Sequence, residues 1–390
     1  MTAASASRVL RQVFRPAPEP PAATDHGAAP SDRHRLAGLD AVRGIAVLMV
    51  LGAHFDLDVT RIAGPSWVER MLRQWQAAGW SGVDLFFVLS GFLISGLLFR
   101  EYAARGQVRV GRFLIRRGLK IYPSFWAMVF FTVLIMLASG NRVDPAELGS
   151  ELLFVQNYGP SLYNYTWSLA VEEHFYLLLV GLIAWRAGRE GNLRRVMQVV
   201  VLSLPVVFLV RCLAALAGPA GLERSVVHTH LRLDELAFGV ALGYLATFHG
   251  PGLEQWVRRR RWWLVAGCAL LGVALLGLPH RSPWVFTLGL TSLYLGGGSL
   301  LLLARYAPFG APRRSLVAPL AWVGANSYAI YLWHVPVREW GGGLLAVLTG
   351  QDAPTVAGLL LYLLGAVLFG AFMTRAIERP ALAWRDRHFP

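Results

Sequence analysis

Runs of mostly apolar residues, each close to twenty residues long, recur along the chain at about 37–57, 80–99, 121–139, 168–185, 196–216, 232–249, 262–278, 283–304, 318–337 and 355–376. A helix of about twenty residues spans the hydrocarbon core of a bilayer. Inside lipid every backbone polar group must be satisfied internally, which leaves helices or closed barrels. The composition agrees: 55% of residues are hydrophobic and 15% charged, where soluble domains carry about 25% charged. The expected fold class is all-α, a polytopic membrane protein with about ten transmembrane helices.

The net charge is +14, and all but one of the 37 basic residues are arginine. So basic a chain raises nucleic-acid binding, but these arginines sit in short clusters between the apolar runs, so no nucleic-acid partner is expected. The clusters fall on alternate connections: the N-terminal arm, 100–120, 186–195, 258–261, 305–314 and the tail 375–387. Cations mark the cytoplasmic side, so a multi-pass protein of the inner membrane with both termini cytoplasmic is expected. Anionic membrane lipid is the partner such clusters attract.

Residues 1–35, rich in Ala, Pro and Arg, read as a flexible cytoplasmic N-terminal arm, and no soluble domain is expected after the last span. Cys212 and Cys268 lie within apolar runs and imply neither a disulfide nor a metal site. The outer connections 58–79 and 140–167 carry Trp67, Trp75, Tyr158, Tyr163 and Tyr165, which suit either interfacial anchors or the lining of an acceptor cleft.

Ionisable groups inside lipid are expensive and usually functional. The first run reads LAGLDAVRGIAVLMVLGAHF. His54 lies eleven positions after Arg43, which puts both on one helix face about 16 Å apart along the axis. Asp40 lies one turn before Arg43 and can pair with it. The second run, GVDLFFVLSGFLI, places Asp84 and Ser90 among aromatics, and RFLIRRGLKIYP follows with Arg116, Arg117 and Lys120 in a cluster suited to phosphate. WSLAVEEHFY sets Trp167 and Ser168 ahead of Glu172 and Glu173, carboxylates that need a partner; Arg232 with Asp234 in RLDELAFG could supply one. SYAIYLWH contributes Tyr328 and His334, and IERP contributes Glu378. Histidine, carboxylate and arginine suit acyl transfer to a hydroxyl, or proton-coupled transport of a lipid-linked or sugar substrate.

In this order the segments resemble the acyltransferase-3 family of integral-membrane O-acyltransferases, whose bacterial members include O-antigen and exopolysaccharide O-acetylases. The resemblance runs from about residue 36 to 385, which makes 36–385 the expected transmembrane domain. It implies helices arranged around an intramembrane active site. It also implies acyl-CoA, most often acetyl-CoA, as a co-substrate rather than a tightly bound cofactor, and a carbohydrate, glycolipid or other hydroxyl acceptor. Carried over by position, His54, Arg43 and Glu172 match the catalytic motifs, and Arg116, Arg117 and Lys120 match the donor-end basic motif. The remaining motif residues, Asp40, Asp84, Ser90, Trp167, Ser168, Arg232, Asp234, Tyr328, His334 and Glu378, support them. The chain departs from the family at Lys120, usually arginine, and at His174, usually glutamine.

Overall fold

The computed structural model describes residues 30–55, 66–190, 193–218, 226–276, 282–307, 311–349 and 356–390. Among these residues every regular element is helical. In chain order the α-helices are α1 (Pro30–Ala53), α2 (Ser66–Ala78), α3 (Gly82–Arg105), α4 (Val110–Ala138), α5 (Pro145–Leu152), α6 (Trp167–Glu190) and α7 (Leu193–Leu216). They continue with α8 (Leu233–Phe248), α9 (Gly250–Cys268), α10 (Leu290–Tyr306), α11 (Ala311–Ala325), α12 (Ser327–Thr349), α13 (Val356–Met373) and α14 (Arg379–His388).

Among the described residues six helices can cross a membrane by length and composition, or seven if α8 and α9, bent by 111° at their junction, make one span. The expected ten is not reproduced, for local reasons. His249 leaves helical geometry and Gly250-Pro251 starts a new helix, so the runs 232–249 and 262–278 fall into one bent pair. The run 318–337 is interrupted at Asn326, between α11 and α12. The run 37–57 extends beyond the described residues, as do residues 1–29 of the expected arm, whereas 30–35 form the first turns of α1.

Helices in lipid associate by close packing rather than by a hydrophobic drive, and two glycine-lined crossings carry that packing here. A Cβ on Gly91 of α3 would lie 2.1 Å from the Leu236 carbonyl oxygen, and one on Gly239 of α8 would lie 2.2 Å from that of Val88. A Cβ on Gly324 of α11 would lie 1.7 Å from the Asp40 carbonyl oxygen. Backbone therefore touches backbone at the level of Asp40 and Arg43. Elsewhere local chemistry sets the ends: Gly106 stops α3 in the left-handed region at φ 69°, donating to the Tyr102 carbonyl at 2.7 Å, and Asp144 caps α5 ahead of Pro145.

Candidate active site

A cavity of about 110 Å³ lies where α1, α3, α4, α6 and α12 converge, lined by Arg43, Ser90, Arg117, Lys120, Glu172 and Tyr331 among others. Arg43 keeps its partner one turn away, with Nη1 3.3 Å from Asp40 Oδ1. Arg117 lies between two carboxylates, 3.2 Å from Glu172 Oε2 and 3.8 Å from Glu173 Oε1, with its guanidinium 4.2 Å above the Tyr176 ring. The Tyr176 hydroxyl donates to Glu172 at 2.8 Å, so the Ser90 hydroxyl, 2.5 Å away, must donate to Tyr176. Lys120 forms an ion pair with the buried Glu378.

This pairing corrects the expectation for the WSL segment. Glu172 and Glu173 are held by Arg117, not by Arg232 and Asp234. Arg232 instead bonds Asp84 at 2.9 Å and Glu235 at 3.2 Å, beside the Phe87 and Trp167 rings, and Asp234 takes a bidentate grip from Arg211 at 2.6 and 2.7 Å. Arg211 is completely buried and also donates to the Leu231 carbonyl at 3.0 Å. The sequence reading does not single it out, although an arginine inside an apolar run is itself a signal. The expected phosphate cluster is also divided: Arg117 and Lys120 line the cavity, whereas Arg116 binds Asp386 at 2.9 Å and the Phe389 carbonyl, tying α14 to α4. Tyr328 lines the cavity and donates to the Ile121 carbonyl at 2.7 Å.

His54 is not in that lining. It sits one aromatic layer away at the end of α1, its ring 4.9 Å from His334 and 6.1 Å from Tyr165. Tyr331 joins the two regions, since it lines the cavity and packs 5.7 Å from both the His334 and Tyr165 rings. The Tyr331 hydroxyl donates to the Tyr165 carbonyl at 2.7 Å, so the Ser168 hydroxyl, at 2.5 Å, donates to Tyr331. Side chains from other helices reach the carbonyls around the end of α1. Trp75 donates to that of Leu48 at 3.0 Å, Arg338 to that of His54 at 2.7 Å and Gln76 to that of Phe55 at 2.9 Å. The helix end that carries His54 is thereby pinned from α2 and α12.

Each histidine of the pair is locked in one tautomer. Nδ1 of His54 meets the Val50 carbonyl at 2.9 Å, and Nδ1 of His334 meets that of Tyr331 at 2.5 Å. A carbonyl only accepts, so each Nδ1 carries a proton, and in the neutral ring Nε2 is then the acceptor. His334 is fully buried, and its Nε2 has no hydrogen-bond partner among the described residues. In the connection before α6, burial pushes the Glu151 carboxyl up to about 7 and the Tyr163 hydroxyl up to about 12.

A bundle with a histidine pair, a cation–carboxylate cavity and motif order as above has a counterpart among known families: a model described as an acyltransferase domain matches residues 36–375. The chain belongs to the acyltransferase-3 family. A putative peptidoglycan O-acetyltransferase of Bacillus subtilis is 27% identical over 79% of this chain and 49% of its own length. The peptidoglycan O-acetyltransferase OatA of Listeria monocytogenes is 24% identical over 89% and 56%, and a putative O-acetyltransferase of Staphylococcus aureus is 26% identical over 90% and 59%. The chain thus spans about half the length of the curated relatives it matches. No solved structure matches it.

Proposed function

We propose that the protein transfers an acyl group, acetyl in the first instance, from a cytoplasmic acyl-CoA to a hydroxyl of a cell-envelope carbohydrate or glycolipid. The observation that carries this reading is His54, held at a pinned helix end with Nδ1 on the Val50 carbonyl and its ring 4.9 Å from His334. A neutral imidazole with that tautomer is the form a general base needs near pH 7. The relatives' names make peptidoglycan the first acceptor to test, and the arginine-rich connections support an inner-membrane protein with both termini in the cytoplasm.

In this mechanism the donor thioester enters the cavity on the Arg43 side, and the acceptor hydroxyl approaches His54 from the opposite side of the Tyr331 layer. Nε2 of His54 takes the hydroxyl proton while the oxygen attacks the thioester carbonyl carbon. The carbon–sulfur bond then breaks, CoA leaves as the thiolate, and the imidazolium returns the proton to it. Arg43, oriented by Asp40 and about 16 Å along the helix from His54, holds the donor in the cavity. Glu172 acts as a positioning residue through Arg117 and Tyr176.

The test supplies purified protein in nanodiscs with radiolabelled acetyl-CoA and a cell-envelope glycan extract. Labelled glycan is expected from the wild type, with a loss of about 10² to 10⁴ in rate for a folded His54→Ala protein. Normal turnover by that variant overturns the base assignment. Flux of a sugar substrate without consumption of acetyl-CoA would replace transfer by transport.

A further inference from the structure

A phosphate site needs cations not already neutralised, and the cations first expected to hold the donor phosphates are neutralised. Arg116 pairs with Asp386, Arg117 with Glu172 and Glu173, and Lys120 with Glu378. Arg100 near the end of α3 and Arg305 near the end of α10 are different. Among the described residues neither forms an ion pair or a hydrogen bond, and the two lie close enough for their charges to repel.

Their placement is specific. The Arg305 guanidinium lies 5.4 Å over the Phe92 ring and 5.4 Å over Tyr306, with its Nε buried and unpartnered. Arg100 folds back along α3, so that Nη1 lies 3.4 Å from where a Gly96 side chain would begin. Residues 92, 96 and 100 follow one another at four-residue steps on one helix face. Leu89, which lines the cavity, lies on that same face seven residues before Gly96. From Leu89 to Arg100 is about 16 Å along the helix at 1.5 Å per residue. Two guanidinium forks on one stretch of the α3 face, Arg305 over Phe92 and Arg100 against Gly96, suit the planar, bidentate recognition of a phosphate ester. A like-charge pair without a counter-ion is unfavourable, most of all at Arg305, whose Nε is buried.

We propose that Arg100 and Arg305 together bind the phosphate of an ester, either the diphosphate of the acyl-CoA donor or the headgroup of an anionic lipid. The donor source rests on the acyl-transfer reading above: with the thioester at the cavity, an extended pantetheine arm carries the diphosphate along the α3 face to this pair. The lipid source does not depend on that reading.

The experiment measures free CoA, which binds without turnover, by calorimetry on wild-type, Arg100→Gln, Arg305→Gln and doubly substituted full-length protein in nanodiscs of neutral lipid. Retained phosphatidylglycerol is counted by native mass spectrometry from membranes that contain it. Charge-assisted hydrogen bonds lead us to expect CoA affinity to fall about tenfold or more per arginine, and less for Arg100→Lys and Arg305→Lys, which keep the charge. The ligand-free melting temperature is expected to hold or rise in the glutamine variants, because repulsion is removed; a purely structural role would lower it. Unchanged CoA affinity with lost phosphatidylglycerol assigns the phosphate to lipid. Wild-type affinity for CoA together with wild-type lipid retention in the double variant overturns the site. CoA binding that depends on both arginines, with no acyl transfer, leaves the site standing and removes the transferase reading instead.

Discussion

Glu151 makes the stability of this protein depend on pH in a direction opposite to that of an ordinary paired carboxylate. It lies on α5, in the connection ahead of α6, with none of its surface exposed. Burial pushes its carboxyl from 4.5 up to about 7, and neither carboxyl oxygen has a hydrogen-bond partner among the described residues. The folded state therefore keeps a proton that the unfolded chain releases. Its contribution to stability is fully present below about pH 4.5 and is lost as pH rises through about 7. At about 1.4 kcal/mol per pKa unit, the full difference is on the order of 3 kcal/mol. Glu151→Gln fills the same space and cannot ionise. In nanodiscs the variant should match the wild type near pH 5 and melt several degrees higher at pH 8.5, and the fall in wild-type stability between those values should shrink in the variant. Parallel pH profiles for the two proteins, or a variant less stable at pH 8.5, would refute the assignment of a buried, protonated Glu151.

Other expectations follow from the packing. Arg211→Met leaves Asp234 charged and buried without its bidentate partner, so stability should drop by about 3–5 kcal/mol. Adding Asp234→Leu to Arg211→Met should recover much of that, and chemical denaturation of the single and double variants measures both. Gly324→Ala places a methyl group 1.7 Å from the Asp40 carbonyl oxygen, forcing α11 away from α1 beside Arg43. Acetyl-CoA turnover should fall by at least tenfold with little change in helicity by circular dichroism, and unchanged turnover would show that this crossing does not set the cavity.

Much of the site was legible where the signal was local. The Asp40–Arg43 pair follows from one turn of spacing and is present, whereas Arg43 and His54, expected on one helix face, do not share a cavity. The span count was less legible, because hydropathy does not register the bend at His249–Gly250 or the break at Asn326. Partner choice was the least legible. Arg232 with Asp234 was the partner expected for Glu172 and Glu173, yet Arg117 reaches both because α4 packs beside α6, and Arg232 is committed to Asp84 on α3. Arg211 carried a readable signal, an intramembrane arginine, but its partner could not be read without the crossing of α7 and α8.

The sequence by itself determined an all-helical membrane chain with ionisable residues of the family's motifs in order, because hydropathy and helical period are properties of neighbouring residues. Only the tertiary structure decided which charges cancel. Lys120 and Glu378 lie 258 residues apart and Arg116 and Asp386 lie 270 apart, and in a low-dielectric interior such pairing determines which cations remain available to a ligand. It also decided that His54 meets His334 directly, one tyrosine layer away from the cavity, since an imidazole's neighbours are set by how helices cross rather than by the residues beside it in the chain.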